Sequence, residues 1–481
     1  MRPGPQLLTY PDSLGGDLPA LRRLLDGPLR GRFGGVHVLP PFPSSGDRGF
    51  APLTYREIEP RFGSWADIRA LATHHDVLLD LMVNHISRRS AEFRDFEQHG
   101  RASRFADLFI TLDKVWPDGN PPAAEVARIF LRKPDDPFST ITIGDTGERL
   151  RIWTTFGKPD GTSEQVDLDL RSAATRGLIA DWFAFFAAQG VSIVRLDAVG
   201  YVVKEAGTSC FMVEPGIWEA IDWLIEAAAR EGLAVLPEVH DVPATHERLS
   251  ARGYWTYDFV LPGLTLLAFE TGDARRLADH LARSPERQFT TLDTHDGIPV
   301  NPDLIGVLTP DEMHGLADVV LVRGGNINRI LSDDPPHGVD VHQLNCTYRS
   351  ALGDDDERYL AARAIQLFAK GVPQVYYVGL LGGRNDHAAV AATGEGRAVN
   401  RHDYTVAEID AALEEPMVRR LLDLVRLRRE HPAFDGPLEV AAPEPHRLVM
   451  RRTAGAAACC LQVDLRDGTF SVEADRRVVG A

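Results

Sequence analysis

Residues 191–200 read VSIVRLDAVG. The stretch is apolar for its first half, and an arginine and an aspartate arrive only near its end. An unbroken apolar run of this length reads as a parallel strand covered on both faces, because a half-exposed strand would alternate apolar and polar residues. A helical stretch, Ala174–Ala188, precedes it and another, Gly216–Arg230, follows. Strand, helix, strand is therefore the local rhythm.

The rhythm extends in both directions. Strand candidates lie at Gln6–Tyr10, Gly35–Pro40, Val77–Asn84, Ala234–His240, Thr256–Leu261, Phe289–His295 and Pro373–Gly379, and further helical stretches at Trp65–His74 and Asp273–Arg283. Eight parallel strands with helices between them predict an α/β fold, a (β/α)8 TIM barrel. The alternative, an open doubly wound sheet, is disfavoured because no glycine-rich phosphate loop follows the first strand. Two gaps are too long for simple crossovers. Residues 86–172 carry the turn-rich WPDGNPP with the strand-like STITI and LRIW, and read as an inserted subdomain. Residues 298–356 read as a second insertion. The barrel then spans 1–85 and 173–435. From 436 to 481 the short strands LVMRR, AACCLQVDL and FSVEA predict a small C-terminal β domain.

Composition narrows the function classes. Of the 481 residues, 52 are Lys or Arg and 69 are Asp or Glu, a net charge of -17. That excess disfavours a nucleic-acid or anionic-membrane surface. Four cysteines, Cys210, Cys346, Cys459 and Cys460, have no metal-ligand spacing and read as reduced thiols. The opening MRPGPQLLTYPDSLGG lacks the apolar core of a signal peptide, and no apolar run approaches the roughly 18 residues of a membrane span. A soluble, cytoplasmic protein is the expectation.

Chemistry-bearing residues gather where the predicted strands end. The third strand ends DLMVNH (Asp80, Asn84, His85) and the fourth VRLDAVG (Arg195, Asp197). The fifth ends LPEVHD (Glu238, His240, Asp241) and the seventh LDTHDG (Asp293, His295, Asp296). In a barrel these ends converge on one mouth, where active sites sit. A single carboxylate beside a turn reads as a helix cap; several acidic ends with His and Arg between them do not. Two carboxylates plus a third suit glycosidic chemistry. One attacks the sugar carbon, and the other protonates the leaving oxygen and then deprotonates the acceptor.

DLMVNH, VRLDAVG, PEVH and LDTHDG resemble, in order and placement, the four motifs of the α-amylase superfamily, glycoside hydrolase family 13. The resemblance implies that Asp197 is the nucleophile with Arg195 beside it, that Glu238 is the acid/base, and that Asp296 stabilises the transition state. It also makes His85 and His295 ligands of sugar hydroxyls. Longer stretches, RLDAVGYVVKEAGTSCFMVEP, GVPQVYYVGLLGG and GRAVNRHDY, are similar to the sucrose phosphorylase subfamily. That subfamily implies retaining phosphorolysis of an α-glucoside to α-glucose 1-phosphate, with Asp47 and Arg397 paired on the distal glucose hydroxyls. Phe50 and Phe156 become apolar walls, or else simple core residues.

Members of the subfamily differ in acceptor: fructose, fructose 6-phosphate, glycerol or glycerate. PDSLGG, NHISRRS and the FGK…SEQVDLD segment resemble the branch acting on sucrose 6'-phosphate. A second phosphate needs concentrated donors. FLRKPDDPF supplies Arg132 and Lys133, DVHQLNCTY supplies Asp340 and His342, and Tyr201 and Gln343 are further loop candidates. Sucrose or a glucosylglycerol-type substrate is the alternative. Other readings are a hydrolase or transglycosylase of the superfamily, and a catalytically dead binding subunit. The last is disfavoured because Asp197, Glu238 and Asp296 are all present. The expected partners are small molecules (an α-glucoside, inorganic phosphate, a sugar phosphate) around a monomer or homodimer. No cofactor is implied. Some amylase relatives hold calcium near the third strand, where Asn84 would be a ligand; by the same resemblance, no metal is expected here.

Overall fold

The computed structural model describes residues 1–133, 136–157, 165–331 and 338–475, and the backbone of strand Arg477–Val479. Parts of two quoted segments, Pro134 and Asp135, and Lys158, Ser163 and Glu164, lie outside the described residues.

Eight parallel strands form the barrel: β1 (Gln6–Thr9), β2 (Gly35–Val38), β3 (Asp76–Met82), β4 (Val191–Asp197), β5 (Ala234–Pro237), β6 (Thr256–Asp258), β7 (Gln288–Thr290) and β8 (Val372–Tyr376). Their order in the sheet is β6-β7-β8-β1-β2-β3-β4-β5, and β5 lies beside β6, so the sheet closes. Every residue of β1, β2 and β3 is buried. Outer helices cover one face of each strand and the barrel's own side chains cover the other, which is why these strands read as continuous apolar runs.

Period-2 alternation on β3, β4 and β5 stacks the interior in layers. Leu78, Ile193 and Leu236 share an apolar cluster with Tyr257, Phe259 and Phe289. One step up, Asp80 and Arg195 are paired partners in register. One step further come Asp197 and Glu238. The apolar floor therefore gives way to charge at the strands' carboxyl ends.

Between β3 and β4 two small ribbons are inserted, His85–Ser87 with Gln165–Asp167 and Phe138–Thr142 with Arg149–Trp153. Ile86 and Val166 of the first ribbon join the main core, while Phe138 and Trp153 of the second pack with Trp116 in a separate one. Between β7 and β8 an antiparallel sheet of Ile298–Pro299, Val341–Asn345 and Asn326–Arg329 carries the second insertion. Five antiparallel strands complete the C-terminal domain, beginning with Leu438–Glu444. Arg452, only 1% exposed, ties this domain to the barrel. It donates to the carbonyls of Phe368 at 3.1 Å and Ala369 at 2.7 Å, at the end of helix Asp356–Phe368, and to Gly436 at 2.9 Å. Arg452→Ala strands three carbonyls, and urea denaturation should show a loss of about 3 kcal/mol. A change below ~1 kcal/mol would mean that water satisfies them.

The sixth strand is shorter than the sequence predicts. It stops at Asp258, and Val260–Thr271 is a helix. Residues 260–269 of that helix are all buried, so the segment shows no helical stripe and its apolar start passes for strand. Likewise β8 ends at Tyr376 and a helical turn, Tyr377–Leu380, follows.

Candidate active site

A cavity of about 760 Å³ opens at the carboxyl ends of the strands. Asp197 ends β4, Glu238 follows β5, and Asp296 sits on the loop after β7; all three line the cavity. Arg195 lies beneath them. Its guanidinium reaches Asp80, Asp197 Oδ1 at 3.2 Å and Glu238 Oε1 at 2.6 Å. Asp80 is held in turn by His37 Nε2 at 2.7 Å. After the nucleophile candidate, Ala198 adopts φ 52, a left-handed turn disfavoured for a residue with a Cβ. That turn aims the Ala198 N–H at Glu238 Oε2, 3.0 Å away.

Burial and the charge of Glu238 push the Asp197 carboxyl well above the usual range. Burial acts on Glu238 in the same direction, but Arg195 and His240 outweigh it and hold Glu238 low. The contacts to Arg195 and Ala198 N favour the charged form of Glu238, and that charge in turn disfavours ionisation of Asp197. Asp296 is held below the carboxylate range: burial opposes this, and the contact with His295 Nε2 at 3.2 Å together with the charges of Arg397 and Arg401 overcomes it. His295, pushed down to about 3 by burial, is uncharged at neutral pH. The charge facing Asp296 is thus that of Arg397 Nη1 at 3.0 Å and Arg401 Nη2 at 3.6 Å.

The walls are aromatic. Phe50 stacks flat on His295 with centroids 5.1 Å apart, and Phe156 lies 5.3 Å from His85 and 5.2 Å from Tyr201. His85 Nε2 meets the Phe50 carbonyl at 3.1 Å, which links the third strand's end to the second's loop. In that loop Asp47 and Arg48 both take left-handed backbone, φ 49 and 48. Arg48 anchors the turn on Ser13 Oγ at 3.1 Å and over the Tyr10 ring at 4.1 Å, and Asp47 is left facing the cavity.

On the outer side, Arg132 and His342 meet. His342 Nδ1 is 2.7 Å from the Asn301 carbonyl, so Nδ1 carries the hydrogen. Nε2 then accepts from Arg132 Nη1 at 2.9 Å. Burial, with Arg132 and His240 nearby, keeps His342 neutral. It serves as an acceptor that aims Arg132, not as a second cation.

Two expected rim residues are not in the cavity wall. Lys133 is 4% exposed and its Nζ donates to Thr154 Oγ1 at 2.7 Å, inside the first insertion. Asp340 pairs with Arg329, and it is Arg329 that lines the cavity. Nor do Asp47 and Arg397 pair: Arg397 turns to Asp296 and, through Nη2, to Gln343 Oε1 at 3.3 Å. Arg401 and Arg329 also line the cavity, beyond the residues that the sequence predicts. Arg401 sits in GRAVNRHDY, one of the stretches that carry the resemblance, and donates to the His295 carbonyl at 2.8 Å.

Asn84 Oδ1 accepts from Lys204 Nζ at 3.2 Å; the same ammonium is 2.9 Å from Asp167 and 2.9 Å from Thr155 Oγ1. The amine occupies the centre of this oxygen cluster, and a divalent ion would have to displace it. Chelator treatment should therefore leave activity unchanged, whereas Lys204→Ala should destabilise the barrel–insertion junction by about 3 kcal/mol, because it leaves Asp167 buried without its cation. Loss of activity on chelation alone would overturn this.

Residues 32–215 match the family model for the α-amylase catalytic domain. The chain is 50% identical over 463 residues to sucrose 6(F)-phosphate phosphorylase of Thermoanaerobacterium thermosaccharolyticum, covering 96% of this chain and 94% of that one. It is 41% identical over 470 residues to a sucrose phosphorylase of Streptococcus mutans, covering 97% and 96%. Among solved structures, the crystal structure of sucrose 6F-phosphate phosphorylase from Thermoanaerobacter thermosaccharolyticum superposes with a TM-score of 0.97 at 47% identity, over 100% of this chain and 98% of that one. No helix among the described residues is long and apolar enough to cross a membrane. With the barrel, the three cavity carboxylates and this identity along nearly its whole length, the chain belongs to the sucrose phosphorylase subfamily of glycoside hydrolase family 13, the α-amylase superfamily.

Proposed function

We propose that the protein is a retaining glycoside phosphorylase, a hexosyltransferase that cleaves sucrose 6'-phosphate with inorganic phosphate to α-D-glucose 1-phosphate and fructose 6-phosphate. The observation that carries the acceptor is Arg132, set on the cavity wall by a neutral His342. A guanidinium offers several N–H donors in a fixed fork, and His342 takes only one. The same anion-binding edge serves the fructose 6-phosphate half of the substrate and then the incoming phosphate.

In the first half-reaction Asp197 attacks the anomeric carbon and Glu238 gives its proton to the departing fructosyl oxygen, leaving a β-glucosyl ester on Asp197. This step needs Asp197 ionised and Glu238 protonated, and a sugar carbon gaining positive charge beside Asp197 favours the ionised carboxylate there. Asp296, kept ionised by two guanidiniums, and the neutral His85 and His295 take the glucose hydroxyls as charge develops. Asp47 and Arg397 close the far end of the pocket, so one terminal glucose is transferred. In the second half-reaction phosphate attacks the ester, and Glu238 accepts its proton. The protein is a cytoplasmic monomer or homodimer in this reading.

Initial phosphorolysis rates on sucrose, sucrose 6'-phosphate and glucosylglycerol test the acceptor. Sucrose 6'-phosphate should lead by at least tenfold in kcat/KM, and a preference for plain sucrose would sink the acceptor while leaving the chemistry standing. Because the anion is held by charge on a protein of net charge -17, the KM for phosphate should rise with ionic strength.

A further inference from the structure

Glu238 has a neighbour besides Arg195. His240 Nε2 lies 3.6 Å from Glu238 Oε1, and its Nδ1 lies 2.9 Å from Asp303 Oδ2. Asp303 belongs to the second insertion, is 1% exposed and does not line the cavity. Its other oxygen faces His246 Nε2 at 3.8 Å. Phe259 stacks on the His240 ring, centroids 4.2 Å apart and planes 14° from parallel, and His342 stands edge-on at 5.9 Å with Arg132 beyond it. The imidazole is thus fixed in plane, with a carboxylate at each nitrogen. Nδ1 is within hydrogen-bond distance of Asp303, and Nε2, at 3.6 Å, faces Glu238 as one half of an ion pair when the ring is charged. Burial opposes that charge, but Asp303 and Glu238 outweigh it and raise His240 to about 10.

We propose that the buried Asp303–His240 pair is a positioning device that suits Glu238 to phosphate, rather than water, as the acceptor. The proposal rests on Glu238 being the acid/base of a phosphorylase. In the second half-reaction an acceptor oxygen bonds to the anomeric carbon of the glucosyl–Asp197 ester. The bond from that carbon to the Asp197 oxygen breaks, its electron pair returns to the carboxylate, and the acceptor's O–H proton passes to Glu238. A fixed cation beside Glu238 stabilises its carboxylate and so weakens it as a base. Water, with a pKa of about 15.7, needs a strong base; a phosphate hydroxyl, which titrates at about 6 in phosphate esters, needs almost none. The same cation draws an anion toward the ester and does nothing for neutral water. Both effects favour phosphate.

The test is the partition of one intermediate. The full-length enzyme is given sucrose 6'-phosphate and a fixed concentration of inorganic phosphate, and glucose 1-phosphate and free glucose are both measured. Asp303→Asn keeps the side chain's size and an acceptor oxygen but removes the charge. The ratio of glucose 1-phosphate to glucose should fall about tenfold, and Asp303→Glu should restore most of it. A variant that is merely less folded loses both products equally, so an unchanged ratio overturns the proposal. Should Asp303→Asn fail to fold, His240→Gln gives the same readout and the same expectation. If the wild-type enzyme releases only glucose, the phosphorylase reading fails and this one with it. If the wild type makes glucose 1-phosphate and the variant's ratio holds, only this one fails.

Discussion

Asp197→Asn should lower phosphorolysis by about 10⁵-fold, roughly 7 kcal/mol of transition-state stabilisation at 1.36 kcal/mol per decade. The amide preserves the shape of the site and the approach to Arg195, so the loss is chemical and the folded fraction should stay near wild type. Glu238→Gln separates the two roles. Without an acid, sucrose 6'-phosphate should turn over about 10³-fold more slowly, because proton transfer to the leaving oxygen typically contributes 10²–10⁴. An activated donor such as α-glucosyl fluoride departs unprotonated, so its first half-reaction should be nearly untouched in Glu238→Gln and still abolished in Asp197→Asn. Comparable rates for Asp197→Asn and wild type on either donor would dismantle the assignment of the site.

The part of the site legible in sequence is the part built from strand ends. Arg195 and Asp197 are two residues apart on β4, so the pleat alone puts both on the inner face. Closure of the barrel then brings Asp197, Glu238 and Asp296 to one mouth wherever the loops run. Positions set by loop folding were not legible. Arg132 and Lys133 are adjacent in sequence, yet Arg132 reaches the cavity while Lys133 Nζ turns inward to Thr154. Nothing in residue type separates the two; the local chain direction does. His240 and Asp303 are 63 residues apart, and their contact depends on how the second insertion folds back over β5. The helix Val260–Thr271 was missed for a different reason: buried on every side, it carries no period for a pattern to show.

The acceptor rests on Arg132. Arg132→Ala should lower kcat/KM for sucrose 6'-phosphate by roughly thirty- to a thousandfold, the 2–4 kcal/mol typical of truncating one partner of a close charge pair. For unphosphorylated sucrose in the first half-reaction, measured by release of fructose, the change should be within about threefold, since no anion then faces the guanidinium. His342→Ala tests how Arg132 is held. His342 is neutral and accepts from Arg132, so its removal takes away aim rather than charge. The loss on sucrose 6'-phosphate should be real but smaller, about tenfold (~1.4 kcal/mol), the scale of one hydrogen bond to a charged group. An order reversed between the two variants would mean that the imidazole, not the guanidinium, holds the phosphate. Equal losses on sucrose and sucrose 6'-phosphate would mean that Arg132 supports a part of the site common to both substrates and not the phosphate of the acceptor half. Arg329, a further guanidinium on the wall, is tied to Asp340 on an exposed edge. Arg329→Ala should therefore cost less than either, because a solvent-exposed pair contributes within about 1 kcal/mol.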